Sequence, residues 1–242
     1  MSIHDSIKEK LKAFCIHHEI DSSHGYEHAC EVMQNACMVI ETWDEPLVIN
    51  GDVAMMITVA ALLHDADDAK YFPDSNDYEH ARELLRGDIF SSSEIETIIQ
   101  MIDLVSTSKN KDTVPEGLPL WMLIPRYSDR LEAIGVIGLE RAYEYTKKKI
   151  QPMYLESTVR PQSLLEIEAT ATKERYEKYT NASVSLVDHI YDKLLHLNKF
   201  PIRNEYLDNE CEKRMQPLYD FLLEFGRKGE MSSEEIYDFI KK

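Results

Sequence analysis

The sequence predicts an all-α fold, a helical bundle with extra helices toward the C-terminal end. Three observations lead there. Only 8 glycines and 9 prolines interrupt 242 residues. Long stretches repeat apolar residues at three- and four-residue intervals, the spacing that lines one face of a helix. Ser-x-x-Glu patterns, in which a helix start is tied to its own first turn, open two of the stretches. No run of alternating residues signals a strand.

The elements follow in order. Residues 5–18 place Ile7, Leu11, Phe14 and Cys15 on one face, and residues 26–42 do the same with Cys30, Met33, Cys37 and Ile40. Residues 52–66 bury Val53, Met56, Ile57, Ala60, Ala61 and Leu63. Residues 75–87 fit a helix with Ser75 or Asp77 near its start and Gly87 just past its end. Residues 91–105 begin with Ser93-x-x-Glu96, a capping-box pattern. Residues 128–149 read as one long amphipathic run, with Asp129 at its start. The pattern blurs between 150 and 180, where a lid or a helical excursion is expected. Helical stretches return at 182–197 and 211–228, and Ser232-x-x-Glu235 opens the last one. The expected loops are 19–25, 43–51, 68–76, 107–119 and 199–204, and the longest of them is expected to border a site.

Composition narrows the function classes. A hydrophobic fraction of 43% and a charged fraction of 29% are ordinary for a soluble globular protein. No apolar run reaches the roughly 18 residues of a membrane helix, and the N-terminal segment has no secretory h-region. The four cysteines, Cys15, Cys30, Cys37 and Cys211, make no C-x-x-C pair. A reduced, cytoplasmic setting is expected. In that setting the sequon Asn181-Ala182-Ser183 has no glycosylation role. The net charge of -17 argues against a nucleic-acid polymer as partner. A small anionic substrate held by a few local cations is still allowed, because a pocket can differ in sign from the whole.

Chemistry-bearing residues gather in three places. In "VAALLHDADDAKYF", residues 59–72, an apolar helical run ends in His64, Asp65, Asp67 and Asp68. Carboxylates at a helix C-terminus oppose the helix dipole by a few tenths to about 1 kcal/mol each. Either they cap a solvated helix end, or a divalent cation offsets them. Asp68 falls three residues after Asp65 and four after His64, on the same face. In "DSSHGYEHACEV", residues 21–32, His24 sits at a helix entrance beside Gly25 and His28 follows four residues on. His24-x-x-Glu27-His28 also fits the H-x-x-E-H pattern of inverted zinc peptidases, with the glutamate activating water. His28 as a satisfied core histidine is the plainer alternative. In "SDRLEAIGVIG", residues 128–138, Asp129 reads either as an N-cap or as a further ligand.

Taken together, His28, then His64-Asp65, then Asp129 resemble the H…HD…D signature of the HD-domain superfamily of metal-dependent phosphohydrolases. Residues 23–32, 60–72 and 128–138 are closer still to its single-domain bacterial-type subgroup. That subgroup reads H-G-x-x-H, then A-A-L-L-H-D-I-x-D-x-K, then A-D-R-L-D-A-I-G-A-I-G. The likeness spans roughly residues 5–150. It implies an HD-domain helical bundle over residues 1–150 that carries the metal site; residues 151–242 lie beyond the likeness and are expected to form a C-terminal helical extension packed on it. It implies metal ligands at His28, His64, Asp65 and Asp129, with His24 as the accessory histidine, Asp68 as the acid after the pair and Lys70 as the lysine beyond. Glu132 stands where the subgroup has aspartate, and "DLVSTSKNKD", residues 103–112, lacks its histidine-serine block. The first is a mild change; the second bears on the substrate and not on the metal.

The expected activity is hydrolysis of a small phosphate ester, a nucleotide foremost, by metal-activated water. The alternatives are a non-catalytic metal- or nucleotide-binding member of the fold, and the zinc peptidase. Two imidazoles and two carboxylates leave two octahedral positions open and suit one divalent ion, Mn²⁺, Fe²⁺, Co²⁺, Ni²⁺ or Mg²⁺; zinc takes fewer ligands. Asp68 is the first candidate for the catalytic base and His24 the second. Lys70, Arg126 and Arg130 are the nearby cations able to hold a phosphate. His80 by itself gives thin support for a second metal. His189 and His196 read as packing or surface. The partner expected is a small phosphorylated substrate, without a membrane and with homo-oligomerisation left open.

Overall fold

The computed structural model describes residues 2–21, 24–44, 49–87, 90–110, 113–180 and 183–242, with only the backbone of residues 107 and 108. Parts of the expected loops 19–25, 43–51 and 107–119 lie outside these residues, as do Asn181 and Ala182 of the sequon. The described residues form helices, turns and loops with no strand. The helices are α1 (Ile3–His17), α2 (Tyr26–Glu41), α3 (Gly51–Leu63), α4 (Glu79–Leu85), α5 (Ser92–Val105), α6 (Thr107–Asn110), α7 (Ile124–Glu132), α8 (Gly135–Lys148), α9 (Leu164–Thr170), α10 (Lys173–Lys178), α11 (Leu186–Asp192), α12 (Glu205–Lys228) and α13 (Ser233–Ile240). Among the described residues no helix is long and apolar enough to cross a membrane. All four cysteines are free thiols.

The chain forms two compact units. The first is Met1–Asp129 with Ile202–Leu207, and the second is Arg130–Pro201 with Asp208–Lys242.

In the first unit α3 is the central helix, packed mainly against α2 and α5. Its sequence explains why: every residue from Met56 to Leu63 is buried, so this part of the helix has no face to offer water, while Gly51 and Asp52 at its start are exposed and Val53 is half-buried. Ile7 and Leu11 of α1, Val32, Ala36 and Val39 of α2 and Ile98 and Met101 of α5 close around it. Burying each of these side chains larger than alanine contributes about 1.5–3 kcal/mol. The segment 202–207 is fastened to α2 by side chains. Asn204 Nδ2 donates to the carbonyls of Val39 and Thr42 at 3.0 and 3.1 Å, which satisfies groups the helix end leaves open. Tyr206 donates to Asn35 Oδ1 at 2.7 Å.

In the second unit α8 packs on α11 and α13. Tyr143 bonds Ser233 at the start of α13, and the Tyr154 ring lies 5.0 Å from Phe225. His196 is buried and stacked on Tyr176 at 4.9 Å. The blurred region 150–180 holds the short helices α9 and α10, each started by a side-chain cap from Ser163 or Thr172. Gly226 is required by contact: a Cβ there would stand 1.8 Å from the Pro161 carbonyl oxygen.

Several expected boundaries are corrected. The run 128–149 is two helices, because Gly135 adopts φ +75° and breaks the ladder after α7. Asp129 therefore lies inside α7, not at an N-cap. The box that starts α5 is Ser91 with Glu94; Glu96 instead bonds Arg82 at 2.6 Å. The helix expected from Ser75 starts at Glu79, after Asp77 and Tyr78 in the left-handed region at φ 53° and 56°. Such a pair costs on the order of 1–3 kcal/mol per residue and needs support from its surroundings. Gly87, at φ +83°, does follow the helix end, as expected. Ser232 and Glu235 form the box that opens α13.

Candidate metal centre

The end of α3 sets the geometry. His64 is the C-cap of the helix, and its Nδ1 lies 2.8 Å from the Ala61 carbonyl oxygen. That carbonyl belongs to the last turn of α3 and has no later amide to receive, so the imidazole takes its place and Nδ1–H donates. The proton on Nδ1 leaves a lone pair on Nε2. An apolar helix thus ends in a histidine of fixed tautomer, and Asp65 follows it directly. A ring-to-carbonyl bond of this kind holds an imidazole in the orientation a metal ligand needs.

Three segments converge there. His28 stands in the first turn of α2, His64 and Asp65 follow α3, and Asp129 comes from α7. Ligand atoms of His28, His64 and Asp65 all lie within 4.8 Å of one another. His28 Nε2 is 3.7 Å from Asp65 Oδ2 and 3.3 Å from Asp129 Oδ1. His64 Nε2 is 3.3 and 3.5 Å from the same two oxygens. Ligands at about 2.0–2.2 Å from one shared ion stand about 3.0–3.5 Å apart. The separations match that range or slightly exceed it.

The Nε2 atoms of His28 and His64 are buried and have no hydrogen-bond partner. A buried polar atom left so costs about 1–3 kcal/mol. Two of them aimed at the same pair of carboxylates fit a cation as the common partner. Without one, the carboxylates act on the ring. Burial alone would lower the His64 pKa, but Asp65 and then Asp129 beside it raise it well above 6.5. Burial would raise Asp129, yet His28 and His64 hold it well below the usual carboxylate range.

A second group adjoins the first. His24, Asp65 and Asp68 also offer ligand atoms within 4.8 Å of one another, and Asp65 is common to both groups. Asp68 Oδ1 accepts from the Lys70 backbone N–H at 2.7 Å, a local turn that bends the chain back after the His64-Asp65 pair. Lys70 Nζ reaches His24 Nδ1 at 3.3 Å and Asp21 Oδ2 at 3.5 Å. His24, Asp68 and Lys70 are all partly exposed, with side-chain exposures of 22, 27 and 43%.

The expected arginines are placed differently. Arg126 is fully buried and donates to the carbonyls of Leu104 and Thr113 at 2.5 and 3.0 Å. Arg130 is buried too, and belongs to the second unit. Glu132 forms a 2.7 Å ion pair with Arg214 in that unit. Glu27 is exposed, and His24 and His28, the two histidines a peptidase would place on one zinc, fall in different groups, which counts against that pairing. His80 joins neither group; its Nδ1 lies 2.8 Å from Asp67 Oδ1.

Two supporting residues escape a reading by spacing. Asp67 is almost wholly buried. Ser75 Oγ and the His80 N–H also donate to its Oδ1, at 2.5 and 3.1 Å, and the Ala81 N–H donates to Oδ2 at 2.9 Å. It thereby ties the segment after α3 to the start of α4. Asn35 donates to the Ser128 carbonyl at 3.4 Å, next to Asp129. The carboxylate count after His64 pointed to Asp67, but nothing local to it names partners thirteen or fourteen residues on. For Asn35, an apolar stretch interrupted by one buried amide was the only signal.

No family model matches the chain. It is 34% identical over 233 residues to protein L803 of Acanthamoeba polyphaga mimivirus, covering 89% of this chain and 93% of that one. Solved structures share its fold at lower identity. A Lactobacillus plantarum protein is 20% identical with a TM-score of 0.64, covering 93% of this chain and 95% of that one. An HD-superfamily hydrolase from Bacillus thuringiensis is 21% identical with a TM-score of 0.62, over 94% and 98%. Bacillus subtilis YpgQ in complex with ADP is 19% identical with a TM-score of 0.60, over 93% of each chain.

Proposed function

The chain belongs to one family with mimivirus protein L803 and has the HD-domain fold, and from that premise we propose that it is a metal-dependent phosphohydrolase. Its substrate is a small phosphate ester, a nucleotide foremost. The observation that carries this reading is the pair of buried, unpartnered imidazole nitrogens facing Asp65 and Asp129. His28, His64, Asp65 and Asp129 would hold one divalent ion, with Mn²⁺, Fe²⁺, Co²⁺, Ni²⁺ or Mg²⁺ suited to the mixed nitrogen and oxygen set. When bound, the ion supplies Lewis acidity toward water and toward a phosphoryl oxygen.

The chain's own residues do the rest. Asp68 stands on the exposed side of the centre and is the group to take a proton from the attacking water, with His24 beside it. Lys70 is the exposed cation of the three expected. An ammonium has three donors, so its contacts to His24 and Asp21 leave one for a phosphate oxygen. Arg126 is buried and holds the backbone carbonyls of Leu104 and Thr113. A nucleotide as substrate is further supported by the ADP bound to the Bacillus subtilis neighbour.

The test is hydrolysis of a chromogenic phosphodiester, a phosphomonoester and a nucleotide panel with Mn²⁺, Co²⁺, Ni²⁺ or EDTA. Activity that needs the metal and vanishes in His64→Ala and Asp65→Ala is the expected result, while Glu27→Gln keeps it. Full activity in both metal-site variants would overturn the reading. Metal uptake without turnover on any member of the panel would favour a binding protein.

A further inference from the structure

Two His/Asp groups share Asp65, and by ligand type each could take a divalent cation. Their histidines differ at the nitrogen that faces away. In His64 that nitrogen meets a carbonyl oxygen, which can only accept, so in the neutral ring Nε2 keeps its lone pair. In His24 it meets the Lys70 ammonium at 3.3 Å, which can only donate, while Asp21 Oδ1 stands farther off at 3.9 Å, beyond hydrogen-bond reach. His24 Nδ1 therefore accepts, and the ring proton of a neutral imidazole sits on Nε2, 3.7 Å from Asp68 Oδ2. A protonated ring nitrogen has no lone pair for a metal.

The lysine is held where this works. Its own N–H bonds Asp68 Oδ1, its ammonium lies 3.5 Å from Asp21 Oδ2, and the Tyr71 ring lies 4.9 Å beneath it. A cation is thus already tethered among the acids that a second ion would neutralise.

We propose that Lys70 fixes His24 in the tautomer that cannot ligate, so that the centre takes a single ion and Asp68 rather than His24 is the proton acceptor. Lys70 acts through His24 and is a positioning residue in this respect. The proposal rests on the metal reading given above, and its test separates the two.

The experiment uses the full chain with ¹⁵N-labelled histidine. Ring nitrogen shifts are recorded without metal, and Mn²⁺ is then titrated by calorimetry and followed by electron paramagnetic resonance. The unaltered chain should show His24 as the Nε2–H tautomer and bind one equivalent of Mn²⁺. Lys70→Met should show a mixture of tautomers and bind a second equivalent, which the double variant Lys70→Met/His24→Ala loses again. An unaltered chain whose His24 carries its proton on Nδ1 would overturn the proposal. So would two equivalents in the unaltered chain with one lost in His24→Ala, or a Lys70→Met protein unchanged in both readouts. No Mn²⁺ uptake by the unaltered chain would instead sink the four-ligand centre, and the metal-free spectrum would still decide the tautomer.

Discussion

His64 Nε2 and Asp129 Oδ1 stand 3.5 Å apart, and the nitrogen is buried with no hydrogen bond to complete it. The gap is too long for a good hydrogen bond and ordinary for two ligands of one ion. Removing either side should therefore act first on metal uptake. The unaltered chain should gain thermal stability with Mn²⁺, by about 2.7 kcal/mol at a hundredfold excess over the dissociation constant. His64→Ala and Asp129→Ala should lose that gain. Thermal melts with and without Mn²⁺ check this, and equal metal-induced shifts in all three proteins would count against it.

Protons and metal compete for the same nitrogen. In the metal-free chain Asp65 and Asp129 overcome burial and raise His64 well above 6.5. The stabilisation this brings is complete below about pH 6.5 and is lost as pH rises through the raised value. Asp129, held well below 3.8, adds stability that is present above about pH 3.8 and is lost as pH falls through its lowered value. A metal needs the His64 nitrogen unprotonated, so its binding should strengthen with pH and release a proton. Calorimetry in buffers of different ionisation heat should find Mn²⁺ affinity lower near pH 6 than near pH 8. An affinity flat across that span would contradict it.

Asp67 should matter for stability more than its place in an acidic cluster suggests. Four donors converge on its carboxylate, next to two residues in the left-handed region. Asp67→Ala leaves buried donors unmatched and should cost about 2–4 kcal/mol. Asp68→Ala, at the exposed rim, should cost under about 1 kcal/mol. Urea unfolding of the two variants side by side would show it, and equal losses would refute it.

The second unit carries its own acid sensitivity. Burial, with Lys193 adding to it, pushes His189 down to about 3. A histidine held neutral contributes stability that is complete above its ordinary value near 6.5 and declines as pH falls toward about 3. The decline should be about 2 kcal/mol, under the full 1.4 kcal/mol per pH unit because the residue is only partly buried. His189→Gln, which cannot charge, should flatten the stability profile between those limits. A variant with the same slope as the parent would show that another group is responsible.

The helices were legible in the sequence because their bonds reach only three or four residues. Apolar spacing marked α1 and α3, and Ser232 with Glu235 marked the start of α13. In α2 it marked the helix but not its buried face, which is Val32, Ala36 and Val39, with Cys30, Met33, Cys37 and Ile40 only half-buried. The order of His28, His64-Asp65 and Asp129 was legible too, as were the ligand types that go with a divalent ion. Finer local choices were not. Three serines run across the start of α5, and spacing could not say that Ser91 rather than Ser93 is the cap. Asp129 reads as a helix start until the helix is seen to begin at Ile124.

What only the tertiary structure decided is which side chains face one another across long stretches of chain. Asp129 meets the two imidazoles, Asp67 reaches the start of α4, and Lys70 meets His24. Arg126, which sequence places among the phosphate cations, lies in the core on carbonyls of Leu104 and Thr113. The reason is physical. Periodicity fixes the face on which a residue stands, but the partner opposite is set by how buried helices pack, and a single sequence carries no separate mark of that.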